Sequence, residues 1–342
     1  MHGGVFPAHP LALDQDRNLD EDSQRRLTRY YMQSGASGIA VAVHSTQFEI
    51  RDPSINLFKK VLELAAEEID NANLDRPFLK IAGICGETAQ ATAEAKIATE
   101  LGYDIGLLSM ASLKDWSEAA IIAHVKQIAT LIPIFGFYLQ PSVGGRVFSY
   151  QFWADFVAIE GVEAIKCASF NRYQTLDVMR ALANSSRVNE IAMYTGNDDN
   201  IVADLLTTYE FTVNGKSVAV DFKGGLLGHW AVWTKQAVAL FEEIQLAKQS
   251  NDYAMLNKLL RIGVQVTDCN AAFFDPAHDF SGCIPGIHEV LHRQGLLKGI
   301  WCLNPLEVLS EGQYDEISRV YRDYPELHDD AFVAAFLAQD QA

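Results

Sequence analysis

Short apolar runs alternate with amphipathic segments along the first two thirds of the chain. The runs are continuously hydrophobic, which is typical of parallel strands that are covered on both faces. Between them, apolar residues recur at helical spacing, and a first helix is bounded by a capping Asp20 and by Gly35. The predicted strands are 3–8, 38–43, 78–84, 104–108, 132–138, 162–167 and 188–194, followed by an eighth. The predicted helices between them are 20–35, 54–72, 87–101, 116–131, 150–159, 176–183 and 200–206.

The pattern changes after residue 206. Asn214-Gly215 lies between two β-branched runs, which is a strong local signal for a β-hairpin over 211–220. From Trp230 onward only helical periodicity is present, through 248 and again over 256–264, 286–294 and 314–321. We therefore predict a strand-and-helix domain over 1–229 and a helical region over 230–342 that packs on it.

Repeated strand-helix units predict parallel pairing between the strands. Eight such units favour an α/β fold, the closed (β/α)8 or TIM barrel, here with a C-terminal helical extension. An open doubly wound sheet is the alternative, but its phosphate-binding Gly-x-Gly-x-x-Gly is absent after the first strand. In a barrel, reactive side chains collect at the carboxyl ends of the strands, so those positions are the first candidates for function.

Composition narrows the classes of function. Of the 342 residues, 49% are hydrophobic and 21% are charged, as in ordinary globular proteins. A net charge of -17 with no Lys/Arg-rich run argues against nucleic acid and anionic membranes as partners. No apolar run reaches the length of a membrane span, and the amino terminus lacks the features of a signal peptide. Five cysteines are scattered without metal-like pairing. We therefore expect a cytoplasmic protein with small-molecule substrates, without cofactor or metal.

The segment Gly161 to Phe170 predicts a short apolar strand that carries Lys166 near its end. Burial disfavours the charged form of an amine, so a desolvated lysine has a lowered pKa and its neutral form is a nucleophile. Such an amine attacks a carbonyl carbon and forms a Schiff base. The alternative is structural: Lys166 reaches solvent from the strand end or pairs with Glu163.

Other polar side chains follow the predicted strands and complete a coherent set. An amine, a phenol that relays protons and hydroxyls that hold a carboxylate are the groups that a keto-acid Schiff-base enzyme needs. Each residue taken alone also has a structural explanation, as a core-edge aromatic, a cap or a buried histidine. The residues at the strand ends are His9, His44, Ser45, Thr46, Glu87, Tyr138, Lys166, Asp198 and His229.

With these residues in line, the chain resembles the dihydrodipicolinate synthase and N-acetylneuraminate lyase family over nearly its whole length. Phe137-Tyr138-Leu-Gln-Pro141 is similar to the family's Tyr-Asn-x-Pro strand. Ala164-Ile-Lys166-Cys-Ala-Ser169 is similar to its Gly-x-Lys-x-Ser strand, and Gly196-Asn-Asp198 to the Gly-x-Asp that follows strand seven.

This resemblance implies a Schiff-base role for Lys166 and a proton-transfer role for Tyr138. The implied function is class I aldol or retro-aldol chemistry on pyruvate or another 2-keto acid, by a carbon-carbon or carbon-oxygen lyase. The implied assembly is a homo-oligomer, either a dimer or a tetramer. The substrate-binding residues that it implies are His44, Ser45 and Thr46 for the carboxylate, and Asp198 and His229 for the second substrate.

Three departures from the family pattern argue against dihydrodipicolinate synthase itself. His44-Ser45-Thr46-Gln47-Phe48 replaces the family's Gly-Thr-Thr-Gly-Glu, which changes the loop expected to hold the carboxylate. Val143 replaces an arginine of the synthases, although Arg146 lies three residues on. Ser109-Met-Ala-Ser112 replaces Pro-Tyr-Tyr, which removes the second tyrosine of the synthase proton relay.

Three other interpretations stay open. His288-Glu-Val-Leu-His292 fits the His-Glu-x-x-His pattern, which predicts a zinc-dependent hydrolase with Glu311 as a third ligand. Gly224 to Gly228 lies where many barrels bind phosphate, so a phosphorylated aldehyde is an alternative substrate. The altered loops also fit a descendant of the family that binds a metabolite without catalysis.

Overall fold

The structure is a computed structural model that describes residues 3–250 and 252–340. Across these residues the chain forms nine strands and twelve α-helices. The strands are β1 (Val5–Pro7), β2 (Gly38–Val41), β3 (Leu79–Ile84), β4 (Ile105–Leu108), β5 (Ile134–Leu139), β6 (Val162–Ala168), β7 (Ala192–Thr195), β8 (Thr208–Val213) and β9 (Lys216–Leu227). The helices are α1 (Glu21–Ser34), α2 (Phe58–Ala72), α3 (Thr88–Glu100), α4 (Glu118–Ala129), α5 (Tyr150–Val157), α6 (Arg172–Ala183), α7 (Ile201–Leu206), α8 (Thr234–Ser250), α9 (Tyr253–Phe274), α10 (Cys283–Arg293), α11 (Gln313–Asp323) and α12 (Asp330–Asp340).

The chain divides into two compact units. The first comprises residues 3–4 and Ile81–Leu226, and the second comprises Val5–Lys80 together with the described residues after Leu226. Among the described helices, none combines the length and the apolar character needed to cross a membrane.

Five parallel strands, β3 to β7, follow one another in the first unit. Phe137 of β5 pairs with Lys166 of β6, and Lys166 pairs in turn with Tyr194 of β7. β7 pairs next with β9, through Met193 and Phe222. Parallel strands need a crossover connection, and here a helix supplies it between each strand and the next. The unit is therefore a run of strand-helix repeats, as the hydrophobic pattern predicts.

β8 and β9 form the predicted hairpin. Val213 pairs with Lys216, so the loop consists of Asn214 and Gly215, which have φ values of 50° and 76°. A two-residue type I′ turn requires positive φ at both positions, and asparagine and glycine adopt it readily. β9 then continues beyond the hairpin and becomes the eighth parallel strand.

The strand order confirms the predicted fold class. It runs β1-β9-β7-β6-β5-β4-β3-β2, and a parallel bridge from Ala8 to Ala40 joins the chain beside the two ends of this order. Eight parallel strands that alternate with helices, followed by α8 to α12, make a nearly closed (β/α)8 barrel with a C-terminal helical extension. An open doubly wound sheet has a different order.

In the second unit, α1 packs with helices from the far end of the chain. Asp20 caps α1 as predicted, because its side chain accepts a hydrogen bond from the Ser23 amide. The buried carboxylate of Asp329 accepts from the Tyr30 hydroxyl at 2.7 Å and from the Lys235 amide at 3.0 Å. One carboxylate therefore ties α1 to the start of α8 and to the segment before α12.

Several element boundaries differ from the predicted ones. α6 begins at Arg172 rather than 176, because the side chain of Asn171 caps the amides of Tyr173 and Gln174. β7 begins at Ala192 rather than 188, and α9 spans far more than the predicted 256–264. The sequence pattern did not predict α12. The division at residues 229 and 230 stays a prediction.

Asp340, the last residue of α12, anchors this helix to α1. Its carboxylate accepts hydrogen bonds from Arg29 Nε at 2.6 Å, from Arg29 Nη2 at 3.0 Å and from Arg26 Nε at 3.2 Å. The bonds from Arg29 are the main reason that the pKa of Asp340 lies below its ordinary value. A negative charge at a helix C-terminus opposes the helix dipole, and these arginines offset that effect.

We expect Asp340→Asn to lower the free energy of unfolding at pH 7 by roughly 1 to 2 kcal/mol, since charge-assisted hydrogen bonds are lost. A carboxyl group with a depressed folded-state pKa contributes stability above its ordinary pKa and loses it as the pH falls through the folded value. The difference from wild type, measured by urea unfolding, should therefore shrink as the pH falls below the ordinary carboxyl pKa of about 4.

Glu63→Gln is a suitable control, because Glu63 forms a more exposed ion pair with Lys59 on α2. It should change the stability by less than about 0.5 kcal/mol. An Asp340→Asn protein that is as stable as wild type at pH 7 would contradict the proposed anchoring of α12.

Candidate active site

Lys166 lies near the carboxyl end of β6, on a face that it shares with residues of both neighbouring strands. Register pairs place Phe137 of β5 on one side of it and Tyr194 of β7 on the other. Residues paired across parallel strands point to the same face, because side chains alternate along each strand. Only 9% of Lys166 is exposed. The structure therefore buries the amine among aromatic side chains, as the apolar strand predicts.

Burial lowers the pKa of Lys166 from its ordinary value to about 8, and the charge of Asp198 opposes this shift. The Nζ atom also lies 4.5 Å from the centroid of the Phe137 ring. This contact is a cation–π interaction, which favours the ammonium form. Burial thus disfavours the charged form of the amine, while Asp198 and the Phe137 ring favour it.

Gly196, which follows β7, provides the space that the lysine side chain occupies. A Cβ atom at this position would lie 2.5 Å from Cε of Lys166, closer than carbon atoms pack. The amide of Gly196 donates to the carbonyl of Cys167 at 2.7 Å, which fixes its backbone against β6. The glycine of Gly196-Asn-Asp198 is therefore needed for the close approach of Lys166.

Tyr138 faces the other side of β5. It pairs with Cys167 rather than with Lys166, and its ring centroid lies 4.8 Å from that of Trp153 on α5. Burial raises the pKa of Tyr138 to about 12. The role of its phenol in proton transfer stays a prediction. Phe137, which the sequence analysis did not select, is the aromatic residue in contact with Lys166.

Arg146 does not provide a free guanidinium in place of the synthase arginine. Its Nη1 atom donates to the carbonyls of Lys114 at 2.9 Å and Trp116 at 2.7 Å, and its guanidinium lies over the ring of Phe148. These bonds join the segment after β5 to the segment before α4. Arg146 therefore serves to position two loops of the first unit.

The predicted carboxylate loop lies in the second unit, after β2. The hydroxyl groups of Ser45 and Thr46 are buried and both donate to the carbonyl of His9, at 3.3 and 2.6 Å. His44 is exposed, and its ring centroid lies 6.0 Å from that of Phe48. Both hydroxyl protons of this loop are therefore already donated to the segment that follows β1.

His9 and His229 are buried in the second unit, which fits their structural explanation. Burial lowers the pKa of each to about 4, so both are neutral at pH 7. His9 contacts the hydroxyl of Thr28 at 3.0 Å, and His229 stacks on Phe273 with ring centroids 6.2 Å apart. Whether His229 contacts a substrate stays a prediction.

Comparisons with known proteins agree with this architecture. Residues 1–218 match the model of the dihydrodipicolinate synthetase family. The chain belongs to this family. N-acetylneuraminate lyase 2 of Escherichia coli O6:H1 is 22% identical over 330 residues, which is 95% of each chain. The 4-hydroxy-tetrahydrodipicolinate synthase of Methanosarcina mazei is 25% identical over 226 residues, which is 64% of this chain and 69% of that one.

Solved structures share the fold at low sequence identity. CdNal from Clostridium difficile in complex with mannosamine has a TM-score of 0.74 at 16% identity, over 94% of this chain and 99% of that one. N-acetylneuraminate lyase from Fusobacterium nucleatum complexed with pyruvate has a TM-score of 0.72 at 16% identity, over 94% of this chain and 97% of that one. The barrel of the dihydrodipicolinate synthetase family is thus retained although most side chains differ.

One family glycine is replaced at a position that still has glycine-like backbone geometry. Gln47 stands where the family's carboxylate loop has its second glycine, and its φ is 66°. Such a value is uncommon for a residue with a side chain. The side chain is held in place, because its Oε1 accepts from the Leu303 amide at 2.6 Å. The backbone at Gln47 is therefore strained for a residue with a side chain.

The His-Glu-x-x-His segment of this family member has other partners. Nδ1 of His292 contacts the carbonyl of Leu297 at 3.1 Å, and Glu289 pairs with Arg293 at 2.7 Å. His288 is buried, which lowers its pKa to about 4. Within residues 3–250 and 252–340, no group of three or more His, Cys, Asp or Glu side chains is arranged to hold a metal ion. The zinc interpretation has no geometric support.

The glycines of the predicted phosphate segment also have a packing explanation. A Cβ atom on Gly224 would lie 2.1 Å from the carbonyl oxygen of Gly4, and the Gly225 amide donates to the same oxygen at 3.1 Å. The backbones approach too closely at this point for any side chain. Gly224 is therefore required by strand packing, whatever it binds.

We expect Phe137→Leu to lower the pKa of Lys166 further, because the aromatic face stabilises the ammonium form. A cation–π contact contributes roughly 0.5 to 2 kcal/mol, which corresponds to about 0.4 to 1.5 pKa units. Competitive acetylation over a range of pH, followed by peptide mass analysis, measures this pKa without a substrate.

Tyr138→Phe is the matched control for this measurement. It keeps the ring packed against Trp153 and removes only the hydroxyl, so the pKa of Lys166 should stay near about 8. A shift in Tyr138→Phe with none in Phe137→Leu would show that Tyr138 is the residue beside the amine.

Proposed function

We propose that the chain is a class I aldolase or lyase that forms a Schiff base between Lys166 and pyruvate or another 2-keto acid. The main support is the buried amine at the end of β6, whose pKa is about 8. At pH 7 an amine with this pKa is neutral in roughly one molecule in ten, against about one in three thousand for an ordinary lysine. A second support is that a relative with 22% identity is an N-acetylneuraminate lyase.

The chemistry begins with attack of the neutral Nζ on the carbonyl carbon of the keto acid. A carbon–nitrogen bond forms as the carbonyl π bond breaks, and a proton lost by the nitrogen is replaced by one on the oxygen to give a neutral carbinolamine. The hydroxyl takes a second proton from solvent and leaves as water, and the nitrogen, which keeps one hydrogen, becomes part of a protonated imine. In carbon–carbon cleavage the imine accepts the electron pair of the breaking bond, and the product carbonyl forms as its hydroxyl loses a proton. In carbon–oxygen cleavage the imine accepts the pair of a neighbouring carbon–hydrogen bond whose proton leaves, and the resulting enamine expels the oxygen with its own electron pair. Asp198, whose charge acts on Lys166, stabilises the positive charge of the imine.

The functions expected of the other site residues stay predictions. Tyr138 packs on the helix side of β5, so we assign no proton transfer to it in this conformation. Carboxylate binding by the Ser45 and Thr46 hydroxyls requires that they turn away from the carbonyl of His9. The departures from the family motifs argue for a substrate other than that of dihydrodipicolinate synthase.

Borohydride trapping with pyruvate tests the proposal. We expect reduction to leave a pyruvyl adduct on Lys166, located by peptide mass analysis and lost in Lys166→Ala. The trapping rate should rise about tenfold per pH unit below about pH 8 and level off above it, as the neutral amine accumulates.

Lys80 is an internal control within the same sample. It is also only 9% exposed, but its Nζ is engaged by the carboxylate of Asp70 at 2.7 Å. We expect no adduct on its peptide. Equal labelling of Lys80 and Lys166, or no adduct with pyruvate and several longer 2-keto acids, would overturn the proposal.

A second candidate function is binding of a keto acid without turnover. The position of Phe137 favours it, since a phenyl ring in contact with Lys166 cannot transfer protons as a phenol does. An adduct on Lys166 that releases no product with any aldehyde would support this second function. Product release in a single turnover would exclude it.

We further propose a cytoplasmic homo-oligomer. All five cysteines are free, which suits a reducing compartment. α9 exposes an apolar stripe at helical spacing: Tyr253, Leu260 and Val264 are 80%, 47% and 71% exposed. Light scattering should give a mass of two or four chains, and Leu260→Glu should lower it. A monomeric wild type would refute the assembly.

A further inference from the structure

A fully buried carboxylate, Asp204 on α7, lies behind the turn that follows β7. None of Asp204 is exposed, so its charge requires compensation. Five side chains provide it: Arg172 by an ion pair, Thr195 and Tyr209 through their hydroxyls at 2.6 and 3.4 Å, and Asn197 and Asn200 through their amide nitrogens at 2.8 and 3.0 Å. Charge-assisted bonds of this kind are stronger than bonds between neutral groups. The buried carboxylate of Asp204 therefore fixes the turn after β7 through its hydrogen bonds from Asn197 and Asn200.

Asn197 extends this network to the turn after β6. Its Nδ2 donates to Asp204, while its Oδ1 accepts from the backbone amide of Phe170 at 3.0 Å. Phe170 has a φ of 50°, in the left-handed region that bulky residues rarely adopt. The amide of one asparagine thus holds a strained turn four residues after Lys166.

The same asparagine lies between two residues that act on Lys166. Gly196 provides the backbone surface against which the lysine chain lies, with Cε 2.5 Å from a hypothetical Cβ. Asp198 is the charge that acts on the amine. Asn197 is covalently joined to both residues. A displacement of Asn197 therefore also moves the backbone of Gly196, against which the lysine chain lies, and the carboxylate of Asp198.

We propose that Asp204 is a positioning residue for Lys166, which acts through Asn197 on Gly196 and Asp198. It contacts neither the amine nor a substrate. Its consequence for imine formation rests on the proposed function, whereas its consequence for the environment of the amine does not. All the groups involved lie in the first unit: the Asp204 carboxylate, the Asn197 side-chain amide and the turns after β6 and β7.

Asn197→Ala and Asp204→Asn test this inference. Both should loosen the turn after β7 and let water reach the amine, so the pKa of Lys166 from competitive acetylation should rise toward the ordinary lysine value. A rise of about one pKa unit reduces the neutral amine at pH 7 about tenfold. The rate of pyruvate trapping at pH 7 should fall by the same factor, and the loss should diminish at higher pH. A purely structural role would lower the folded fraction without moving this pH profile.

Asp177→Asn is the matched control, because Asp177 of α6 also pairs with an arginine, Arg180 at 2.8 Å, but belongs to neither turn. It should leave the acetylation profile unchanged. If Asp204→Asn does not fold, Asn197→Ala decides the question, since it keeps the buried charge and its other donors. A folded Asn197→Ala with the wild-type acetylation profile overturns the inference. Acetylation needs no substrate, so failure of pyruvate trapping in wild type would refute the proposed function and leave this test intact.

Discussion

The burial of one amine is the constraint around which β5, β6 and β7 are arranged. An ammonium group removed from water costs free energy unless neighbouring groups compensate it. Here the ring of Phe137 and the charge of Asp198 do so in part, and the remaining cost appears as a pKa of about 8 for Lys166. The lysine chain also needs space, which exists because residue 196 is glycine. The environment of Lys166 therefore depends on strand register, on turn geometry and on the size of residue 196.

Both units use a buried carboxylate to fix the segments around it. In the first unit Asp204 collects donors from β7, from the turn after it and from the start of α6. In the second unit Asp329 collects donors from α1 and α8. A buried charge with all its donors in place is costly to disturb, because any donor that leaves exposes the uncompensated charge to an apolar interior. Such carboxylates make the surrounding loops rigid, which a site that holds an amine within a few ångströms of its partners requires.

The chain shares the barrel fold of solved structures at low sequence identity. Structures with 16% identity cover 94% of the chain, because a barrel needs only apolar strands, amphipathic helices and short connections. The lysine strand and the glycine after β7 keep the family pattern. Tyr138 packs against Trp153, and the hydroxyls of Ser45 and Thr46 donate to the backbone carbonyl of His9. Of the predicted site residues, Lys166 is thus the one that this geometry supports best.

The sequence by itself determined the barrel, the hairpin at Asn214-Gly215 and the cap at Asp20, because each follows from local periodicity or from the conformational preference of one or two residues. It left open whether Lys166 is buried or reaches solvent. It also indicated the residues that follow the strands. Only the tertiary structure decided which of them share a face. Phe137 and Tyr138 are adjacent, so one faces Lys166 and the other faces α5, and the choice depends on a register between β5 and β6 that includes an irregularity between Ile134 and Phe135. Likewise Asp204 lies six residues beyond Asp198, and its hydrogen bonds to the turns after β6 and β7 depend on distances that folding creates and that no spacing along the chain encodes.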